Sequence, residues 1–84
     1  TLDNTNKMKQ TEKIVKHWES RGWIAINLIK TNKNGIQDYM MLKDGVTVFV
    51  ESKEPEDRLS KLQEYRIKQL KAAGFDCYIN DVKQ

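Results

Sequence analysis

The stretch from Asp38 to Lys53 contains two carboxylates and one lysine at a spacing that could bind a metal ion. Asp44-Gly45, near its middle, is a dipeptide favoured in two-residue type I′ turns, and apolar residues flank it on both sides. A hairpin closed by this turn places Asp38 directly opposite Glu51, and the alternation of side chains puts Glu51 and Lys53 on the same face. Two carboxylates so placed have Cβ atoms about 4.5–5.5 Å apart and repel each other. The arrangement therefore predicts a bound divalent cation, and the alternative is a partly exposed ion-pair cluster.

Two helices and two further strands are predicted around this hairpin. Apolar residues recur on one stripe of each helix, and each helix is followed by a glycine that can end it, Gly22 or Gly74. The predicted elements are a helix over residues 8–21, a strand over 23–29, the hairpin over 37–53, a helix over 59–73 and a strand over 75–80. The second helix can act as a crossover connection, which allows the last strand to lie parallel to a neighbour. We therefore predict one α/β domain over residues 8–84, with a mixed β-sheet flanked by helices in the order α-β-β-β-α-β.

The predicted core is small, because the chain has only 84 residues. Its expected members are the aromatic residues Trp18, Trp23, Phe49 and Phe75, together with Leu59, Leu62, Leu70 and Ala73 on the inner face of the second helix. Residues 1–7 are polar and are predicted to form a flexible N-terminal tail.

Fifteen lysine and arginine residues stand against twelve aspartate and glutamate residues, which gives a formal net charge of +3. This balance permits a polyanionic partner such as DNA without requiring one. A single cysteine excludes an intramolecular disulfide, so the sequence gives no indication of secretion, and we expect the protein in the cytoplasm. No apolar run approaches the ~18 residues of a transmembrane helix, so we expect no membrane partner.

Four motifs follow one another along the chain: Gly35-Ile36-Gln37-Asp38, Phe49-Val50-Glu51-Ser52-Lys53, Asp57-Arg58-Leu59-Ser60-Lys61-Leu62-Gln63 and Leu70-Lys71-Ala72-Ala73-Gly74. Glu-x-Lys is common on its own, but an aspartate, a hairpin, Glu-x-Lys and then Arg-Leu-Ser-x-x-Gln form a fairly specific series. The series resembles the VRR-NUC family, the virus-type replication-repair nucleases of the PD-(D/E)xK superfamily, over most of the chain. The sequence departs from the family pattern at Gln37, where a proline usually precedes the aspartate.

The resemblance implies a restriction-endonuclease-like fold and a nuclease that hydrolyses phosphodiester bonds in DNA with Mg²⁺ or Mn²⁺. Asp38 and Glu51 would ligate this cation, and the carbonyl oxygen of Ser52 would complete its shell. The cation would lower the pKa of its bound water and neutralise charge on the phosphate oxygens. Lys53 would orient the water or hold the phosphate.

Two helix residues complete the set that the resemblance implies. Glu12 lies beside the apolar stripe of the first helix, and the resemblance assigns it to the metal, with a solvated glutamate as the alternative. Gln63 lies within the stripe of the second helix, where an unpaired buried amide would cost about 1–3 kcal/mol. The resemblance gives Gln63 a catalytic role through a hydrogen bond into the active site, with a satisfied core glutamine as the alternative.

Three basic residues border the predicted site, and we expect them to contact DNA phosphates: Lys30, Lys33 and Arg58. Small standalone relatives resemble Holliday-junction resolvases, so the resemblance implies a homodimer that acts on branched DNA, and the small size fits a phage-encoded protein. Two alternatives stay open. The domain could be a nucleic-acid-binding or assembly module that has lost catalysis, or the nuclease part of a larger helicase-linked or restriction-type complex.

Overall fold

The computed structural model describes residues 9–84, which form two helices and a five-stranded β-sheet. The helices are α1 (Gln10–Glu19) and α2 (Lys61–Ala72), and the strands are β1 (Ile24–Asn27), β2 (Tyr39–Lys43), β3 (Val46–Glu51), β4 (Asp76–Ile79) and β5 (Val82–Lys83). The predicted flexible tail, residues 1–7, lies outside the described residues. Neither helix in the described range is long and apolar enough to cross a membrane.

The sheet is mixed, as the sequence predicts, with its strands in the order β1-β2-β3-β4-β5. β1, β2 and β3 form an antiparallel meander, and β3 pairs in parallel with β4, so α2 is the predicted crossover between them. β5 is a short additional strand, antiparallel to β4, that the sequence did not predict. It forms because Asn80 takes a left-handed φ of 57° and turns the chain back. The sequence does not predict it, because a strand of two residues is too short to show an alternating pattern.

The turn between β2 and β3 confirms the predicted hairpin. Asp44 and Gly45 have φ values of 51° and 78°, and a type I′ turn requires a positive φ at both positions. Strand pairing starts at Lys43 and continues without a bulge to Tyr39. Asp38 directly precedes Tyr39, so it lies at the same end of the hairpin as the last residue of β3.

α1 packs on one face of the sheet and forms the main core there. Its buried residues are Ile14 and Trp18, and the Trp18 ring contacts those of Trp23 and Tyr78 edge to face, at centroid distances of 5.3 and 4.9 Å. The sheet contributes the buried side chains of Met41, Val48 and Val50. Trp18 is therefore a core residue as predicted, and Trp23 packs against the core while partly buried.

α2 packs on the opposite face, and only part of its predicted inward stripe is covered. Of the four residues expected to be buried, Leu59 and Leu70 are half-buried, whereas Leu62 is 45 % exposed and Ala73 is also exposed. The helix turns Gln63 toward the rest of the domain, as its place in the stripe predicts, together with Arg66 and Ile67. This orientation is favourable because both polar side chains find hydrogen-bond partners there, which removes the cost of burying them.

The part of this face that α2 leaves open is apolar. Phe49 and Phe75 pack edge to face at a centroid distance of 5.7 Å, and Phe75 stays exposed, so its predicted core position is wrong. Ile24 and Ile26 on β1 are 61 % and 39 % exposed. Ile26 pairs across the sheet with Met40, which in turn pairs with Phe49, so these side chains share the open face.

Candidate active site

Three of the predicted site residues converge at the end of the hairpin that is remote from its turn. Asp38 precedes β2, Glu51 ends β3, and Lys53 follows two residues later. The Nζ of Lys53 lies 3.9 Å from Oε2 of Glu51. The backbone N–H of Ser52 donates to Oδ2 of Asp38 at 3.1 Å, which ties this carboxylate to the chain just after β3. Two carboxylates and an ammonium group therefore meet at one sheet end.

The carboxyl group of Glu51 has an unusual proton affinity. Its side chain is only 5 % exposed. Burial first, and then the negative charge of Asp38, raise the pKa of Glu51 from 4.5 to about 7, although the ammonium of Lys53 acts in the opposite direction. Because ionising both carboxyl groups is unfavourable here, a cation that stabilises both charges would be favoured at this position.

Gln63 links the start of α2 to this carboxyl group. Its Nε2 donates to Oε2 of Glu51 at 3.2 Å. Its Oε1 accepts from the backbone N–H of Ser60 at 2.9 Å, while its own backbone N–H donates to Oγ of Ser60 at 3.0 Å. This reciprocal pair is a capping box, so the first turn of α2 holds the amide that contacts Glu51.

The structure does not bring Glu12 to the two hairpin carboxylates. Glu12 is exposed in the first turn of α1, and its Oε1 accepts from the backbone N–H of Lys9 at 3.1 Å. α1 reaches the site through Thr11 instead, whose Oγ1 donates to Oγ of Ser52 at 3.1 Å. Across residues 9–84, no group of three or more Asp, Glu, His or Cys side chains is arranged to hold a metal ion. The acidic part of the site therefore consists of two carboxylates.

Asn80 holds the backbone of Lys53, a role that the sequence pattern did not predict. Its Oδ1 accepts from the Lys53 N–H and its Nδ2 donates to the Lys53 carbonyl oxygen, both at 3.0 Å. Its backbone N–H donates to the carbonyl of Glu51 at 2.7 Å, and its carbonyl accepts from Nε1 of Trp18 at 3.1 Å. Asn80 thus continues the pairing beyond the ends of β3 and β4. The available sequence signal is the Asn-Asp pair after a β-rich segment, which is typical of a turn.

Arg66 anchors the loop between β1 and β2, which the sequence pattern did not predict. Its Nε and Nη2 donate to the carbonyl of Asn34 at 3.2 and 3.0 Å, and its Nη1 donates to Oε1 of Gln69. Gly35, which follows Asn34, has a φ of 76°. The Cβ of any larger residue at this position would lie only 2.7 Å from Cγ of Leu62. α2 therefore holds this loop at close range.

An open groove of about 630 Å³ lies beside Asp38, between the end of β1, the following loop and the start of β2. Lys30 and Lys33, two of the predicted DNA-binding residues, line this groove and are exposed. Arg58, the third, is exposed on the segment before α2 and is not part of this lining. A second cleft of about 340 Å³ is lined by Lys53. The predicted site is therefore accessible from two sides.

No protein-family model matches this chain, and comparison with the curated proteins finds no similar one. The resemblance to the VRR-NUC nucleases is accordingly a prediction from the four motifs.

Proposed function

We propose that this protein is a divalent-metal-dependent nuclease that hydrolyses phosphodiester bonds in DNA. The observation that carries this proposal is the meeting of two carboxylates, an ammonium group and an amide at one end of the hairpin. A buried carboxyl group with a strongly raised pKa beside a second carboxyl group is an arrangement more common at functional sites than elsewhere. The four motifs support the same reaction.

Asp38 and Glu51 fit one Mg²⁺ or Mn²⁺ ion. Mg²⁺ is usually held by one or two carboxylates, with water and substrate phosphate in the other positions, so two carboxylates are sufficient. We propose that the carbonyl oxygen of Ser52 adds a further ligand, whereas the carboxylate of Glu12 is engaged at the start of α1. When bound, the cation would lower the pKa of its water and neutralise charge on the phosphate.

Lys53 and Gln63 have separate roles in this proposal. The ammonium of Lys53 is within 4 Å of Glu51, at 3.9 Å, so it can reach a phosphate or water bound at the carboxylates and stabilise the charge that develops there. Gln63 acts on Glu51 through its hydrogen bond of 3.2 Å, which restricts rotation of the carboxyl group. The amide is a positioning group, and the ammonium acts on the reacting atoms.

We further propose that the substrate is branched DNA and that the active form is a homodimer. One small domain carries a single site, whereas cutting two strands of a junction requires two. β1 is an edge strand with exposed apolar side chains at Ile24 and Ile26, and such an edge favours association with another chain. Lys30, Lys33 and Arg58 would contact the phosphates beside the site.

The direct test is cleavage of a labelled four-way junction and of the matching linear duplex with Mg²⁺, Mn²⁺ or EDTA. The wild-type protein should cut the junction only when a cation is present. Asp38→Asn should lose this activity, whereas Asp81→Asn, at an exposed aspartate, should retain it. If the protein cuts only the linear duplex, the proposed nuclease activity is supported and the preference for branched DNA is excluded. No cutting under any condition would favour the binding module, or a nuclease that acts only within a larger complex.

A further inference from the structure

The hydroxyl group of Thr11 lies beside the candidate site, and the proposed reaction assigns no role to it. Thr11 is half-buried in the first turn of α1, and it lines the groove beside Asp38. Its Oγ1 donates to Oγ of Ser52 at 3.1 Å. This hydrogen bond links α1 to the segment that follows β3.

α1 is a fixed support for this hydroxyl group. Ile14 and Trp18, further along the same helix, are buried in the main core. Threonine is branched at Cβ, so in a helix its side chain adopts mainly two rotamers, and Oγ1 has few positions available to it. A hydrogen bond from Thr11 can therefore restrain its partner.

Ser52 is held from two further directions. Its backbone N–H donates to Oδ2 of Asp38 at 3.1 Å. The next backbone N–H, that of Lys53, donates to Oδ1 of Asn80 at 3.0 Å. The side chain of Ser52 is thus tied to α1, its N–H to the residue before β2, and its following peptide group to the residue after β4.

These contacts determine where the carbonyl oxygen of Ser52 points. The peptide bond between Ser52 and Lys53 is trans, so its C=O and its N–H point in opposite directions. Because the N–H points to Asn80, the carbonyl points away from Asn80. β3 lies between β2 and β4, so this direction is toward β2 and Asp38. Within residues 9–84 no hydrogen bond reaches this oxygen, so its lone pairs are available to a ligand.

We propose that Thr11 is a positioning residue of the cation site, whose hydrogen bond holds Ser52 in the orientation that presents its carbonyl oxygen beside Asp38. This inference rests on the proposed nuclease function. It gives α1 a part in binding Mg²⁺ or Mn²⁺ through a hydroxyl group, while the carboxylate of Glu12 is engaged at the start of the helix. Groups that hold metal ligands in place typically contribute about 10–100-fold to metal affinity.

The test measures Mn²⁺ affinity by calorimetry without DNA, so it does not depend on cleavage. Thr11→Val nearly keeps the shape of the side chain and removes the hydroxyl group, and it should bind Mn²⁺ about tenfold more weakly than wild type. Thr11→Ser keeps a hydroxyl group and should retain most of the affinity. Thr47→Val, at a half-buried threonine near the other end of β3, is the matched control and should bind as wild type does.

A double-mutant cycle shows whether Thr11 acts through Ser52. Ser52→Ala removes the partner hydroxyl group and keeps the backbone N–H and carbonyl, so it should weaken Mn²⁺ binding by about the same factor as Thr11→Val. The double variant should bind no more weakly than either single variant, because both substitutions remove the same hydrogen bond. Losses that multiply in the double variant would show that the two residues act independently and would overturn the proposal.

Thermal unfolding in EDTA separates this role of Thr11 from support of the fold. All affinities are measured at a temperature at which every variant is folded, so that a lower unfolding temperature does not by itself weaken binding. Wild-type Mn²⁺ affinity in Thr11→Val, whatever its unfolding temperature, would make Thr11 a structural contact and would overturn the proposal. A wild-type protein that binds no Mn²⁺ would instead contradict the proposed cation site, and this inference with it.

Discussion

Glu51 holds a proton more tightly than an ordinary glutamate because of its position at the end of β3. Burial and the neighbouring charge of Asp38 raise its pKa to about 7, so its charge changes in the physiological range. The free protein and a cation-bound protein would therefore differ in protonation at this residue, because a cation favours the ionised carboxylate. Stability and cation binding should both depend on pH.

We predict that the folded state loses stability as the pH rises from about 5 to about 8 in EDTA. The pKa of Glu51 in the folded state, about 7, is higher than its ordinary value of 4.5. Between these two pKa values the folded state binds more protons than the unfolded state, so it loses stability as Glu51 ionises. The loss is on the order of 2 kcal/mol. Thermal unfolding of wild type and Glu51→Gln across this pH range measures it, and the variant should lack this loss.

Glu19→Gln is the matched control for this measurement, because Glu19 is exposed at the end of α1. It should retain the pH dependence of the wild type. If Glu51→Gln retained it as well, Glu51 would not be the group that titrates.

Mn²⁺ should stabilise the wild-type protein more at about pH 8 than at about pH 5.5, because the cation competes with the proton on Glu51. Asp38→Asn should lose this stabilisation. In EDTA the same variant should be at least as stable as wild type, because the substitution removes a negative charge beside Glu51. Unfolding temperatures with Mn²⁺ and with EDTA test both statements, and a large loss of stability in EDTA would instead indicate a structural role for Asp38.

At the scale of single residues, the position of Asp38 opposite Glu51 could be predicted, because a two-residue turn determines the hairpin register. The observed register runs from Lys43 opposite Val46 to Tyr39 opposite Val50. The raised pKa of Glu51 could not, since it depends on how deeply β3 is buried after folding. The burial of Gln37, whose Oε1 has no hydrogen-bond partner among the described residues, could not be predicted either, because local sequence does not show which groups a side chain will meet.

At the scale of elements, Asn80 connects β4 to the segment that carries Lys53. Its side chain makes two hydrogen bonds of 3.0 Å to the Lys53 backbone, and its φ of 57° is left-handed. We predict that Asn80→Ala destabilises the protein by about 2 kcal/mol, from the lost hydrogen bonds and from strain in the turn. Chemical denaturation measures this change, and DNA cleavage should fall because Lys53 loses its fixed position.

Asn80→Gly separates the two contributions, because glycine adopts a left-handed φ without strain. It should be more stable than Asn80→Ala and should show the same loss of cleavage. Full activity in both variants would mean that Asn80 supports the fold without positioning Lys53.

The order of elements could be predicted from hydrophobic patterns and turn residues, whereas the orientation of α2 could be predicted only in part. Its apolar residues suggested that Leu62 faces inward, yet the helix is oriented by the polar contacts of Gln63 and Arg66. These contacts join residues that are far apart in sequence. A helix with few apolar residues on any one side gives a weak signal of which side is buried.

At the scale of the whole molecule, the open edge of the sheet is the expected surface for a second copy. Ile24 and Ile26 are exposed on β1, whose outer edge pairs with no strand of the described range. We predict that Ile24→Lys and Ile26→Lys together convert a homodimer to a monomer, because the added charges would be buried without partners. Light scattering after size-exclusion chromatography measures the mass.

Val82→Lys is the control for the dimer prediction, since Val82 is also exposed but lies on β5 at the other edge. It should leave the dimer intact. A monomeric wild-type protein at all concentrations would exclude the homodimer and would leave the nuclease proposal in place.

The measurement that tests the proposed chemistry most directly is DNA cleavage with Mn²⁺ by wild type and Lys53→Met, combined with Mn²⁺ affinity from calorimetry. Lys68→Met, on the exposed side of α2, is the control. The proposal predicts that Lys53→Met binds Mn²⁺ with nearly wild-type affinity and cleaves at least about 100-fold more slowly, because the ammonium acts on the phosphate and is not a ligand. Cleavage at the wild-type rate by Lys53→Met, or no Mn²⁺-dependent cleavage by the wild type, would contradict it.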